Sequence, residues 1–169
     1  MTRRSTHGDH ATLGGWGRIR GIAHDQGGAA LIEFTIMAPL LLSLVLGIAE
    51  FGRFLYQYQM VVEGLRDAGR YLARLDANDA TNQGNAANLA TTGTIDGSGD
   101  PRVDGWAAAD VGFSVTDVDN TAGIYRGGAE IEVIEVTTTF DYADVGFLSA
   151  LGFDPISIAA AHEQRVILE

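Results

Sequence analysis

Residues 27–50 read GGAALIEFTIMAPLLLSLVLGIAE, and this stretch decides the fold. Residues 29–49 are predominantly apolar, and a single acidic side chain, Glu33, lies near their start. A helix of about 20 apolar residues crosses the roughly 30 Å hydrocarbon core of a bilayer. The sequence therefore predicts a transmembrane helix over residues 29–50, with Glu33 as the one carboxylate inside its apolar run.

Glu33 requires an explanation, because an acid within a membrane segment costs a few kcal/mol even on lenient scales. One explanation is positional: Glu33 lies close enough to the start of the helix to reach the interface or to be protonated. The other is functional, with the carboxylate paired to a cation. The residues alone leave both explanations open.

A second apolar pattern continues beyond the membrane segment at helical spacing. Its members are Phe54, Tyr58, Val61, Val62, Leu65, Ala68, Leu72 and Leu75. The opposite face is charged, which indicates one buried and one solvated side. The pattern predicts an amphipathic helix over residues 51–75 that extends the membrane helix and packs on a core.

Residues 76–110 are rich in Asn, Gly, Thr and Asp, and they predict a flexible polar loop. Within this loop, Asp96, Ser98 and Asp100 alternate as the ligands of a calcium loop do. However, Pro101 stands where an EF-hand requires glycine, and no glutamate closes the loop. A solvated turn is the better interpretation.

Three later segments, residues 111–118, 130–140 and 156–168, are rich in β-forming residues and bounded by turn formers. They predict a small antiparallel sheet within a β-rich head over residues 111–169. The apolar, glycine-punctuated residues 145–153 either cover this sheet or form a contact surface. The predicted fold class is α+β, with the long helix packed against the sheet.

Several short motifs occur in a defined order along the first part of the chain. They are Glu33-Phe34, Ala38-Pro39 followed by a Leu/Val run, Glu50-Phe51-Gly52-Arg53, and Ala68-Gly69-Arg70-Tyr71 with Ala73. Together they resemble the TadE-like minor pilins, also called pseudopilins, of the bacterial tight-adherence pilus, a type IV pilus system. The resemblance covers roughly the first half of the expected mature chain.

The resemblance implies processing by a prepilin peptidase, which cuts after a glycine and leaves the glutamate as the fifth mature residue. The implied cut lies between Gly28 and Ala29, since a cut after Gly27 would make Glu33 the sixth residue. The resemblance also implies that Glu33 and Phe34 act in assembly with other pilins and minor pilins, with Glu33 pairing the new amine of Ala29 on a neighbouring subunit.

Residues 1–28 are polar, glycine-rich and arginine-bearing, and they predict an unfolded cytoplasmic leader that processing removes. A secretory signal peptide would instead carry its small-residue cleavage site after an apolar core. Arg53, Arg66 and Arg70 lie shortly after the predicted membrane helix. Because the positive-inside rule counts the basic residues on both sides of a membrane helix, it does not decide the orientation here. The resemblance therefore decides the orientation: inner membrane, N-terminus cytoplasmic, head extracytoplasmic, with adhesion as the expected role of the pilus.

Composition excludes several function classes. The net charge of −11 is concentrated after residue 75 and opposes binding to nucleic acid, whose phosphates require a basic surface. The chain has no cysteine, and His162 is the one histidine beyond residue 24, so a histidine-based metal site is not expected in the head. Phosphate-loop, dinucleotide and nucleophile-elbow motifs are missing from the sequence. We expect no enzyme activity, no cofactor and no metal.

Two functional interpretations remain open from the sequence. The first is a processed minor pilin that enters or primes a tight-adherence pilus. The second is a permanently anchored binding or sensing module that is never cleaved, with Gly27 and Gly28 acting as a hinge. Cleavage after Gly28 distinguishes the two.

Overall fold

The computed structural model describes residues 26–167. These residues form three helices and three strands in the order α1 (Gln26–Leu72), α2 (Ala80–Thr92), β1 (Val111–Asp119), β2 (Glu130–Asp141), α3 (Phe147–Ala150) and β3 (Ser157–Arg165), with a 3-10 turn at Ala108–Asp110. The predicted α+β class is confirmed: a long apolar N-terminal helix precedes a small antiparallel sheet. Most of the predicted leader, residues 1–25, lies outside the described residues.

The described residues divide into two units, one ending at Val45 and the other beginning at Leu46, and α1 contributes to both. We call the second the head unit. In the first unit, the hydroxyl of Thr35 donates to the Leu31 carbonyl at 2.7 Å and that of Ser43 donates to the Pro39 carbonyl at 2.8 Å. Both polar side chains are thus satisfied within the helix, as a segment in lipid requires.

The sheet has β2 at its centre, paired antiparallel with β1 and β3. The side chains of β2 alternate between the core and solvent, and Ile134, Val136, Thr138 and Phe140 are buried. Each predicted strand is present, and its bounds among the described residues lie within three residues of the predicted ones. This alternation is typical of a sheet with one wet face.

The core of the head unit lies between α1 and the sheet. The predicted apolar stripe of α1 is confirmed, since Val61, Leu65, Ala68 and Leu72 are fully buried. Two glycines of α1 allow neighbouring elements to pack closely against this helix. A β-carbon on Gly69 would lie 3.1 Å from the ring of His162 on β3, and one on Gly64 would lie 2.4 Å from the Ala90 carbonyl oxygen of α2. The helix ends at Leu72 rather than at residue 75.

The prediction of a flexible loop over residues 76–110 is wrong for α2. The carboxylate of Asp79 caps this helix by accepting from the backbone N–H groups of Thr81 and Asn82, and Gly93 ends it with a φ of 78°. These hydrogen bonds also lower the pKa of Asp79. The Asn and Thr content favours a loop, but the buried alanines of α2 pack into the core, and this packing overrides weak helix propensity.

The segment after α2 is also tied to the core. The guanidinium of Arg102 donates to Asp67 on α1 at 2.8 Å, and the indole N–H of Trp106 donates to the Thr138 hydroxyl at 2.9 Å. The Trp106 ring stacks on Phe140 with a centroid distance of 5.9 Å. The head is therefore not confined to residues 111–169: it includes α1 from Leu46 onward, α2 and this segment.

Candidate processing and assembly site

The four residues implicated by the sequence all lie in the first turns of α1. Gly28 and Ala29 follow the first helical residue by two and three positions, and a β-carbon on Gly28 would meet nothing within 4 Å. The candidate scissile bond between Gly28 and Ala29 therefore lies within α1.

Glu33 and Phe34 lie one turn further along α1 and both are exposed, Phe34 by 66%. Residues four apart share one face of a helix, so Glu33 lies above Ala29 on the same side. After a cut at Gly28, Glu33 would thus lie beside a helix terminus that carries an ammonium group.

The surface around Glu33 is apolar. One described helix, α1, is long and apolar enough to cross a membrane, and its apolar window has no buried residue. The large side chains exposed along it are Leu31, Ile32, Phe34, Ile36, Met37, Leu40, Leu41, Leu42, Leu44, Val45, Leu46 and Ile48. Lipid or neighbouring helices must cover such a surface.

A second acidic site, at Glu50, was missed by the functional analysis of the sequence. Glu50 is buried at 6% exposure, and its carboxylate accepts hydrogen bonds from the Tyr142 hydroxyl at 2.8 Å and from the Val145 backbone N–H at 3.2 Å. The one feature of the sequence that indicates this site is an acidic residue, Glu50, directly after the apolar membrane segment. Its partners are more than 90 residues away, and no local pattern identifies them.

Tyr142 joins this carboxylate to two further groups of α1. The ring of Phe54 meets that of Tyr142 edge to face at 5.3 Å, and the guanidinium of Arg53 lies 5.9 Å from the Tyr142 ring centroid. Burial, followed by the hydrogen bond to Glu50, raises the pKa of Tyr142 to about 12. The phenol remains a donor at neutral pH, so the arrangement fastens α1 to the end of β2 rather than supplying an acid or base.

His162 lies on β3 against Gly69. Burial, with the nearby guanidinium groups of Arg66 and Arg70, lowers the pKa of His162. Within residues 26–167, no three His, Cys, Asp or Glu side chains are grouped to hold a metal ion. The candidate calcium loop is a turn in which the carboxylate of Asp96 accepts from the backbone N–H and hydroxyl of Ser98.

Residues 28–70 match the family model described as TadE-like protein. The chain carries a TadE-like domain. The match begins at Gly28 and ends within α1, so it includes all four candidate residues and Glu50 but neither α2 nor the sheet. Comparison with curated proteins and with solved structures gives no significant match.

The TadE-like match confirms the family predicted from the motifs. It associates the chain with minor pilins of the tight-adherence pilus, a structural rather than catalytic family, and with a membrane helix. The roles of Gly28, Ala29, Glu33 and Phe34 stay predictions.

Proposed function

We propose that this protein is a minor pilin of a tight-adherence pilus that a prepilin peptidase processes after Gly28. The observation that carries the proposal is the position of the TadE-like match. It starts at Gly28, five residues before the one carboxylate of the apolar run, in a helix long enough to span a bilayer. The protein then acts as a structural or priming subunit and has no catalytic function of its own.

In this proposal, assembly depends on a charge pair that exists only after processing. Before the cut, the nitrogen of Ala29 is an uncharged amide. After the cut it is an ammonium group, which can pair with Glu33 of an adjacent subunit while the exposed apolar faces of the two α1 helices pack together. A nearby ammonium favours the ionised carboxylate and offsets part of its desolvation cost in the membrane. Phe34 supplies exposed apolar surface beside the pair.

The proposed location is the bacterial inner membrane, with residues 1–28 in the cytoplasm and the head unit outside it. The arginine-bearing leader and the TadE-like match support this orientation. The acidic surface of the head keeps it soluble and gives it no attraction to anionic headgroups. The partners are the prepilin peptidase and the other pilins and minor pilins of the pilus.

We expect the mature protein to begin at Ala29 and the Gly28→Ala variant to accumulate as precursor. A methyl group at residue 28 meets no other atom within 4 Å, so the substitution leaves the fold intact and any loss of processing arises in the peptidase. The measurement is the intact mass of the membrane-extracted protein from cells with a working tight-adherence system. Gly27→Ala is the control and should be processed almost normally.

Intact precursor in the wild-type strain would contradict this prediction. The uncleaved membrane-anchored binding or sensing module would then be the better description of the protein. Processing of Gly28→Ala at the wild-type rate would place the cut elsewhere.

The orientation is testable because the chain has no cysteine, so that a single introduced thiol reports one position. Ile124 is 77% exposed in the connection between β1 and β2, and we expect Ile124→Cys to react with a membrane-impermeant maleimide in intact spheroplasts. Ser5→Cys, placed in the Gly28→Ala precursor, should react only after lysis. The reverse pattern would overturn the proposed orientation.

A further inference from the structure

The head unit carries an exposed apolar surface where the chain between β2 and β3 lies against α1. We define the basal patch as Leu46 and Phe51 of α1 together with Val145, Leu151, Phe153 and Ile156. These side chains are 42% to 70% exposed. Phe51 and Ile156 line one cavity of about 270 Å³, and Leu46 and Val145 line a neighbouring one, so the helix and loop parts of the patch adjoin.

The loop that presents the patch is held in place by polar contacts. Glu50 accepts from the Tyr142 hydroxyl and the Val145 N–H, which fixes the point where the chain leaves β2. Asp144 accepts from the Ser149 backbone N–H at 3.0 Å, and this hydrogen bond lowers the pKa of Asp144. The ring of Phe147 approaches Gly47 on α1. The apolar side chains therefore remain exposed on an ordered loop and do not fold inward.

The position of the patch along α1 identifies what covers it. The loop contacts α1 between Leu46 and Phe54, where the apolar membrane run of residues 29–49 ends. A bilayer crossed by α1 therefore has its interface beside this loop. We propose that the basal patch inserts into the headgroup and acyl-chain boundary of the leaflet next to the head, and that the occupant of this surface is lipid.

The burial of Glu50 fits an interfacial location. An ionised carboxylate at this depth is costly unless it is hydrogen-bonded, and Glu50 has two donors and is shielded from solvent. Phe51, Phe147 and Phe153 lie in or beside the patch, and their rings supply the apolar area that interfacial insertion requires.

The charge pattern of the loop defines the class of lipid interaction. Between Arg126 and Arg165 the chain has no lysine or arginine, whereas Asp144 and Asp154 flank the apolar side chains. Arg53 of α1, which lines the cavity of Leu46 and Val145, lies 4.0 Å from the carboxylate of Asp104. Electrostatic attraction to anionic headgroups is therefore missing from this loop. Insertion depends on apolar area, and it should occur in zwitterionic bilayers and persist at high salt.

The test uses the full chain reconstituted in phosphatidylcholine vesicles, with single spin labels at Val145→Cys and Phe153→Cys. We expect both labels to be relaxed more strongly by oxygen, which concentrates in lipid, than by a water-soluble nickel chelate. The matched control is Ile124→Cys, an exposed apolar position in the connection between β1 and β2, which should show the opposite preference. Adding phosphatidylglycerol or salt should leave the oxygen and nickel accessibilities of all three labels unchanged.

Either of two outcomes would overturn the proposal. Nickel accessibility at residues 145 and 153 equal to that at residue 124 would place the patch in water. Protection from both reagents, with spin–spin broadening that disappears on dilution of the protein in the bilayer, would assign the patch to a second copy. Leu151→Cys is the substitute if Phe153→Cys fails to fold. The proposal requires only that α1 crosses the bilayer, so its failure leaves processing after Gly28 untouched.

Discussion

Replacing Gly64 by alanine is expected to destabilise the head unit by roughly 2–3 kcal/mol, the upper part of the range of about 1–3 kcal/mol for overpacked cores. The added methyl group would lie 2.4 Å from the Ala90 carbonyl oxygen and 2.7 Å from the Trp106 ring. The carbonyl belongs to the backbone of α2 and cannot rotate away. In a helix interior without such contacts, the change from glycine to alanine stabilises a protein by up to about 1 kcal/mol, because alanine has the higher helix propensity. A loss of stability in Gly64→Ala would therefore indicate steric crowding, and a gain would indicate that helix propensity dominates.

Gly84→Ala is the matched control, since Gly84 also lies inside a helix of the head unit but a β-carbon there meets nothing within 4 Å. We expect this variant to be as stable as the wild type or slightly more so. The measurement is denaturant unfolding of the full chain in detergent, followed by the fluorescence of Trp106, which is buried in the core. A Gly64→Ala midpoint equal to that of Gly84→Ala would contradict the close packing of α1 on α2.

The elements that could be predicted from the sequence are those with strong local periodicity. The apolar run and the stripe from Phe54 to Leu72 fix α1, and the β-rich segments fix the strands. The helix α2 was not predicted, because its Asn, Thr and Gly residues favour loops and its packing against Gly64 depends on residues distant in sequence. Its signals were the N-cap Asp79, the C-cap Gly93 and the alanines between them.

The functional residues likewise include some that could be predicted from the sequence and some that could not. Gly28, Ala29, Glu33 and Phe34 form one continuous stretch, so a sequence motif captures them. The structure adds that they share the first turns of one helix. The hydrogen bonds of Glu50 could not be predicted, because Tyr142 and Val145 reach it only after the sheet has formed and the chain has returned to α1. Contacts of such sequence separation depend on topology and not on local pattern.

Glu33→Gln is expected to abolish most pilus assembly while leaving cleavage and membrane insertion nearly intact. Glutamine has the size of glutamate but no charge, so the ammonium group of Ala29 on the neighbouring subunit would be left without a partner. Breaking a buried ion pair by removing one member costs about 3–5 kcal/mol. Since about 1.4 kcal/mol is a tenfold change, each subunit contact would weaken by two orders of magnitude or more. The measurements are surface pilus yield and adhesion, with intact mass to verify processing.

Two controls separate the charge pair from other roles of Glu33. Glu33→Asp keeps the carboxylate and should retain part of the pilus yield. The unprocessed Gly28→Ala variant should lose assembly even though it keeps Glu33, because the amide of Ala29 offers no charge to pair with. Normal pili and adhesion in Glu33→Gln cells would instead support the positional explanation, in which Glu33 lies near enough to the interface to reach the headgroups or to be protonated.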